Sequence, residues 1–203
     1  MKNQILYVHG GMTFDKQRMY LKFLENREVS IDNEKKWQNE YLDKELGEEF
    51  QIIRPRMPLR ENARYEEWKI HFEKYFPYLE DNIILIGQSL GAIFLVKYLS
   101  ENKFPKKIFS VYLVACPFND TLIGERLTGG FRLGSSLSLL EENAKNIHFF
   151  FSKNDSVVPL PHMKKYEEKL KNSHFTILEN MNGHFQVSEF PEIIESIRKS
   201  VRM

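Results

Sequence analysis

The sequence predicts an α/β fold: about six mostly parallel strands in one sheet, covered by helices on both faces, with no large cap domain. Three observations predict it. Short apolar runs alternate along the chain with longer amphipathic stretches. Most of those runs are continuously apolar rather than alternating, which is the pattern of strands buried on both faces. The 203 residues show no repeat, low-complexity tract or domain boundary, so 1–203 reads as a single domain.

In chain order the predicted strands are 5–8, 50–53, 83–86, 108–115, 147–151 and 175–178. Between them lie helical patterns. The stretch 64–78 places Tyr65, Trp68, Phe72 and Phe76 near one face, and 90–99 is apolar almost all round, as in a buried helix. The stretches 161–171 and 189–202 read as amphipathic helices. Strand and helix in alternation imply a parallel sheet. Two stretches break the rhythm. The charged segment 15–47 is expected to hold two helices. The segment 118–136 carries Gly124, Gly129, Gly130 and Gly134 and reads as a short flexible, flap-like connection. Its apolar residues, Leu127 and Phe131 among them, are expected to line or cover a substrate pocket.

Composition narrows the function classes. Net charge is +1, so no strong field favours nucleic acid or a membrane surface. No segment approaches the ~18 apolar residues of a membrane span, and no signal-peptide pattern follows the N-terminus. The cytoplasm is the default expectation. Cys116 is the single cysteine, so no internal disulfide forms; its apolar neighbours place it at a buried strand end. No His or Cys pair has ligand spacing and no Gly-rich phosphate loop is present, so neither a metal nor a cofactor is expected.

The chemistry is carried by Gly87-Gln88-Ser89-Leu90-Gly91, a G-x-S-x-G sequence that follows a strand and opens a helix. The sharp turn lifts the serine above the sheet edge, and the two glycines let strand and helix approach closely. The helix N-terminus favours developing negative charge. A serine hydroxyl needs a base. His184, in the polar loop after Asn182-Gly183, is the candidate base. Asp155, in the loop after the fifth strand, is the candidate acid, with Asp120 after the fourth strand as its rival. All follow carboxyl ends of strands, the edge where open parallel sheets build their sites. An oxyanion hole needs two N–H groups. Leu90 supplies one. Gly11, in His9-Gly10-Gly11-Met12 after the first strand, supplies the other, with Met12 as alternate donor and pocket residue. His9, at the strand end, reads as structural.

With these motifs the chain resembles the α/β-hydrolase superfamily in its minimal form, lacking the first two strands of larger members. More narrowly it resembles the small serine hydrolases similar to retinoblastoma-binding protein 9 and YdeN. The residues 37–42, Arg54-Pro55-Arg56-Met57-Pro58, Tyr65, Trp68 and Ser152-Lys153-Asn154-Asp155-Ser156-Val157-Val158-Pro159 carry that likeness. The resemblance implies a serine hydrolase acting on small-molecule esters or amides through an acyl-enzyme, without a cofactor. Two other classes are compatible with the scaffold: a catalytically idle binding protein, and an acyltransferase in which an alcohol or amine replaces water. A protein partner is not readable from the sequence.

Overall fold

A computed structural model describes residues 2–32 and 35–201. Six strands form one sheet: β1 (Asn3–Val8), β2 (Phe50–Ile53), β3 (Ile83–Gln88), β4 (Ile108–Val114), β5 (Ile147–Ser152) and β6 (His174–Leu178). Their order is β2-β1-β3-β4-β5-β6, and every neighbouring pair is parallel. The chain steps from β1 to one side for β2, then crosses back for β3. The order therefore reverses beside β1, and crevices at carboxyl ends of strands open at such a reversal.

Among the described residues seven α-helices accompany the sheet: α1 (Gln17–Asn26), α2 (Leu42–Leu46), α3 (Tyr65–Glu73), α4 (Leu90–Glu101), α5 (Ser138–Asn143), α6 (Pro161–Lys169) and α7 (Pro191–Val201). Strand side chains point alternately to opposite faces, so each apolar run feeds two cores. Leu6, Val8, Leu85, Leu113 and Phe149 pack with Trp68, Phe72, Phe94 and Tyr166 of α3, α4 and α6. Ile5, Tyr7, Ile86, Tyr112 and Phe150 pack on the other face with Leu42 of α2 and with Ile193 and Ile197 of α7. Trp37, in a π-helical turn over Trp37–Tyr41, joins that second core. Continuous apolar runs are thus what two covered faces require. At roughly 25 cal/mol per Å², one fully buried tryptophan such as Trp68 contributes about 4–6 kcal/mol of apolar burial.

The local pattern placed the strands to within one or two residues. β3 runs on to Gln88 because Gly87 and Gln88 still pair with Leu113 and Val114. The helix expected over 64–78 ends at Glu73 and resumes as a 3-10 turn, Phe76–Tyr78, because Pro77 cannot continue an α-helix. The C-terminal helix starts at Pro191 rather than 189 and is described to Val201; Arg202 lies outside the described residues. The segment 15–47 holds two α-helices, α1 and α2, as expected, and α1 buries none of its residues. The helix α5 has no counterpart in the sequence reading: it is one and a half turns long, too short to show a period.

The connection 118–136 contains no helix or strand, yet it is tied down. Thr13 Oγ1 donates to the Arg126 carbonyl at 2.6 Å and accepts the Thr128 N–H at 2.9 Å, and the Tyr65 N–H donates to the Gly129 carbonyl at 2.8 Å. Cys116 lies just beyond β4, fully buried, 3.2 Å from the Tyr166 hydroxyl; burial drives its thiol pKa well above the usual range. Among the described residues no helix is long and apolar enough to cross a membrane.

Candidate active site

The turn between β3 and α4 holds Ser89 at φ 53°, ψ −119°, a left-handed conformation that a residue with a Cβ rarely adopts. Such a conformation costs of order 1–3 kcal/mol and persists only where its surroundings fix it. Here the Ser89 N–H donates to the Val114 carbonyl at 2.8 Å, while the Ser89 carbonyl accepts the Ala92 N–H at 2.9 Å. The flanking glycines are obligatory. A Cβ on Gly87 would come within 2.7 Å of Ala92 Cα, and one on Gly91 would collide with the carbonyls of Val8 and His9. The elbow projects the hydroxyl over the carboxyl edge of the sheet.

Two other loops meet it there. After β5, the Asn154 side chain accepts the Ser152 hydroxyl at 2.6 Å and the Met181 N–H at 3.0 Å, so it ties the loop of Asp155 to the loop of His184. The His184 loop turns through positive φ at Asn182, Gly183 and Phe185, and Phe185 is buried against Phe190. The result is a line of three groups. Ser89 Oγ lies 2.8 Å from His184 Nε2, and His184 Nδ1 lies 2.9 and 3.0 Å from the two oxygens of Asp155. Asp155 Oδ1 also accepts the N–H groups of Val157 and Val158, at 2.8 and 2.9 Å, so the carboxylate is buried with its partners in place. A carboxylate facing Nδ1 keeps the ring proton there, which leaves Nε2 as acceptor for the serine hydroxyl. A ring held in that tautomer can take the hydroxyl proton.

The rival acid is committed elsewhere. Arg126 donates to Asp120 through Nε at 3.0 Å and lies 2.8 Å away through Nη2, and the Leu127 N–H donates to the same carboxylate at 2.5 Å. Desolvation pulls this carboxyl up, but those hydrogen bonds and the fields of Arg126 and Arg132 outweigh it and hold it below the ordinary range.

Ser89 and His184 sit on a cavity of about 600 Å³. Its wall includes Gly10, Gly11, Met12, Gln88 and Gln186. Gly10 lies against Ser89: a Cβ there would come 3.3 Å from Ser89 Cβ. Gly11 is pressed between the Arg60 carbonyl, Leu90 and Trp68, with no room for a side chain. The Met12 N–H, the alternate oxyanion donor, donates to the Arg60 carbonyl at 2.8 Å and is not free for a substrate. The Gly11 and Leu90 N–H groups have no such acceptor among the described residues. His9 accepts the Met57 N–H at Nε2 (3.0 Å) and contacts the Gly10 carbonyl through Nδ1 (2.6 Å), which makes it a pin between two loops.

Leu127 and Phe131 do not line this cavity. Both are buried in the first core, where Phe131 meets Tyr65 and Trp68 edge-on at 5.9 and 5.3 Å. Their apolarity signalled core rather than pocket, because local sequence reports that a residue is buried but not by what. The charged wall of the cavity was missed as well: Lys36, Arg54, Arg56, Arg60 and Glu125 line it. The available signal was position, since Arg54-Pro55-Arg56 follows β2 at the same sheet edge as the other site loops. Glu125 stands near His184 and Asp155. Burial, then the Asp155 charge, raises its carboxyl pKa against the lowering effect of His184. Among the described residues no cluster of three or more His, Cys, Asp or Glu side chains is placed to hold a metal ion.

Comparison with known proteins bears on the family and the fold. A family model described as serine hydrolase matches residues 30–200. No curated protein sequence matches the chain significantly. Among solved structures, the ydeN gene product of Bacillus subtilis is similar over 100% of both chains, with 18% identity and a TM-score of 0.73. A putative YdeN-like hydrolase from Pectobacterium atrosepticum is similar over 97% of this chain and 90% of its own, with 17% identity and a TM-score of 0.63. A putative aryl esterase from Burkholderia cenocepacia is similar over 100% of this chain and 92% of its own, with 11% identity and a TM-score of 0.66.

Proposed function

Because the chain belongs to the serine hydrolase family, we propose that it cleaves small-molecule carboxylic esters or amides through an acyl-enzyme formed on Ser89. Ser89 Oγ attacks the carbonyl carbon and its proton passes to His184 Nε2. Asp155 keeps His184 in the receiving tautomer and faces the imidazolium that forms. Charge develops on the substrate oxygen, and the N–H groups of Gly11 and Leu90 are the donors assigned to it. The tetrahedral intermediate collapses, the imidazolium proton goes to the leaving alcohol or amine, and the acyl group stays on Oγ. Water then attacks the acyl carbon and gives a proton to His184, and His184 passes that proton to Ser89 Oγ as the acid leaves.

The observation that carries this reading is the 2.8 Å contact between Ser89 Oγ and His184 Nε2, with Asp155 held against the other ring nitrogen. The putative aryl esterase in the same fold is in keeping with ester chemistry. A fluorophosphonate probe, followed by peptide mapping, tests it. The expected result is a single adduct on Ser89 that disappears in His184→Ala. A folded protein that takes up no probe, or takes it up elsewhere, refutes the assignment and favours an idle binding module.

A further inference from the structure

Four of the five Lys, Arg, Asp and Glu side chains lining the Ser89 cavity are cationic. They are not equivalent. Arg54 is engaged: it donates to the Gln38 carbonyl at 3.1 Å and to Asp43 at 3.1 Å. Arg56 and Arg60 are exposed, and neither side chain has an acidic or hydrogen-bonding partner among the described residues. Two unneutralised guanidinium groups on one wall of a reaction cavity call for an anion.

The backbone beneath them is fixed rather than loose. The Met57 N–H, next to Arg56, donates to His9 Nε2 at 3.0 Å. The Arg60 carbonyl accepts the Met12 N–H at 2.8 Å, and between the two arginines the Pro58 carbonyl accepts the Trp68 indole N–H at 2.7 Å. Both arginines are therefore carried on a strap bonded to the loop of Gly10 and Gly11, which lies against Ser89. Their field reaches the cavity floor. Burial first, then Arg60 and Arg56, lower the His9 pKa against the raising effect of the Gly10 carbonyl. Glu125, the one acidic side chain of the lining among the described residues, interacts electrostatically with His184 and Asp155 rather than pairing with either arginine.

We infer that the preferred substrate is an ester or amide bearing a carboxylate-type anionic group, held by Arg56 and Arg60 while its reacting carbonyl sits over Ser89. The planar guanidinium fork suits a carboxylate or phosphate, binding it through two parallel N–H donors. This deepens the hydrolase reading above and rests on it. The anion can lie in the acyl part or in the leaving group, and two substrate pairs separate these sources. For the acyl side, 4-nitrophenyl hemiglutarate is compared with neutral 4-nitrophenyl 5-oxohexanoate. For the leaving side, 4-acetoxybenzoate is compared with 4-acetoxybenzamide.

In at least one pair, kcat/KM for the anionic member is expected to exceed that of the neutral member by about tenfold at low salt, the size of one charge-assisted contact. Raising ionic strength to about 0.5 M should shrink the ratio several-fold, because exposed charges are screened. In the double variant Arg56→Gln/Arg60→Gln, checked for folding by circular dichroism, the ratio should fall to about one or below. Equal or better hydrolysis of both neutral members, or a ratio unmoved in the double variant, overturns the anion assignment while leaving the Ser89 reading intact. If no ester in either pair is hydrolysed, the Ser89 reading falls and the anion assignment falls with it.

Discussion

Replacing Asp155 by asparagine tests how the site is wired, because the structure says which way the new amide must lie. Asp155 Oδ1 accepts three contacts, from His184 Nδ1 and from the N–H groups of Val157 and Val158. Among the described residues Oδ2 makes only the 3.0 Å contact to His184. An amide nitrogen at the Oδ1 position would set a donor against two backbone donors. Losing two buried hydrogen bonds at about 1–1.5 kcal/mol each disfavours that orientation by roughly 2–3 kcal/mol. The amide nitrogen therefore takes the Oδ2 position, facing His184 Nδ1 as a donor. It favours the ring tautomer that carries its proton on Nε2, and that nitrogen then cannot accept from Ser89. The negative charge opposite the imidazolium is lost as well. In a serine protease the equivalent change lowers kcat by about 10⁴. Here the residual Nδ1 contact to Oδ1 allows partial rescue, so the expected loss is about 10²–10⁴, or roughly 3–5.5 kcal/mol of barrier. The assay is ester hydrolysis under one set of conditions for Asp155→Asn, Asp120→Asn and Ser89→Ala, with folding checked by circular dichroism. Asp120→Asn should cost less than about tenfold, since that carboxylate serves Arg126 and Leu127 rather than the histidine. A larger loss on Asp120, or more than a tenth of wild-type turnover surviving in Asp155→Asn, would refute the reasoning.

Three further outcomes follow from the same geometry. Ser89→Gly should abolish turnover yet raise stability relative to Ser89→Ala by about 1 kcal/mol, because glycine relaxes the φ of 53° that alanine must keep; equal melting temperatures would contradict strain at the elbow. Phe131→Ala should cost about 3–5 kcal/mol in denaturant unfolding, as expected of a buried aromatic in contact with Tyr65 and Trp68; a stable variant whose acyl-chain preference shifts would restore the pocket role. Glu125→Gln should melt higher than the wild type near pH 7, with the gap closing as pH falls to the ordinary carboxylate range. The raised pKa of Glu125 means the folded protein binds the proton more tightly than the unfolded one, so wild-type stability falls as pH rises through that range, whereas glutamine does not titrate. A gap that is constant with pH would show that the carboxyl is not perturbed.

The sequence by itself determined the layered α/β architecture, because strands such as Ile83–Gln88 and Ile147–Ser152 are covered on both faces and are therefore mostly apolar rather than alternating. It determined the elbow too, because Gly87 and Gly91 meet backbone atoms at distances no side chain survives, and that leaves a local mark. The chain order of Ser89, Asp155 and His184, each in a loop after a strand, was legible for the same reason. Only the tertiary structure decided the strand order, since pairing β1 between β2 and β3 depends on contacts distant in sequence. It also showed what faces Asp155 and Asp120, the preferred acid and its rival after adjacent strands: His184 for one, Arg126 for the other. It moved Leu127 and Phe131 from the expected pocket into the core and put Arg56, Arg60 and Glu125 around the Ser89 cavity instead. Apolarity and charge are properties of a residue, and the sequence states them. Which cavity a side chain faces is a property of the packing, set by residues far away along the chain.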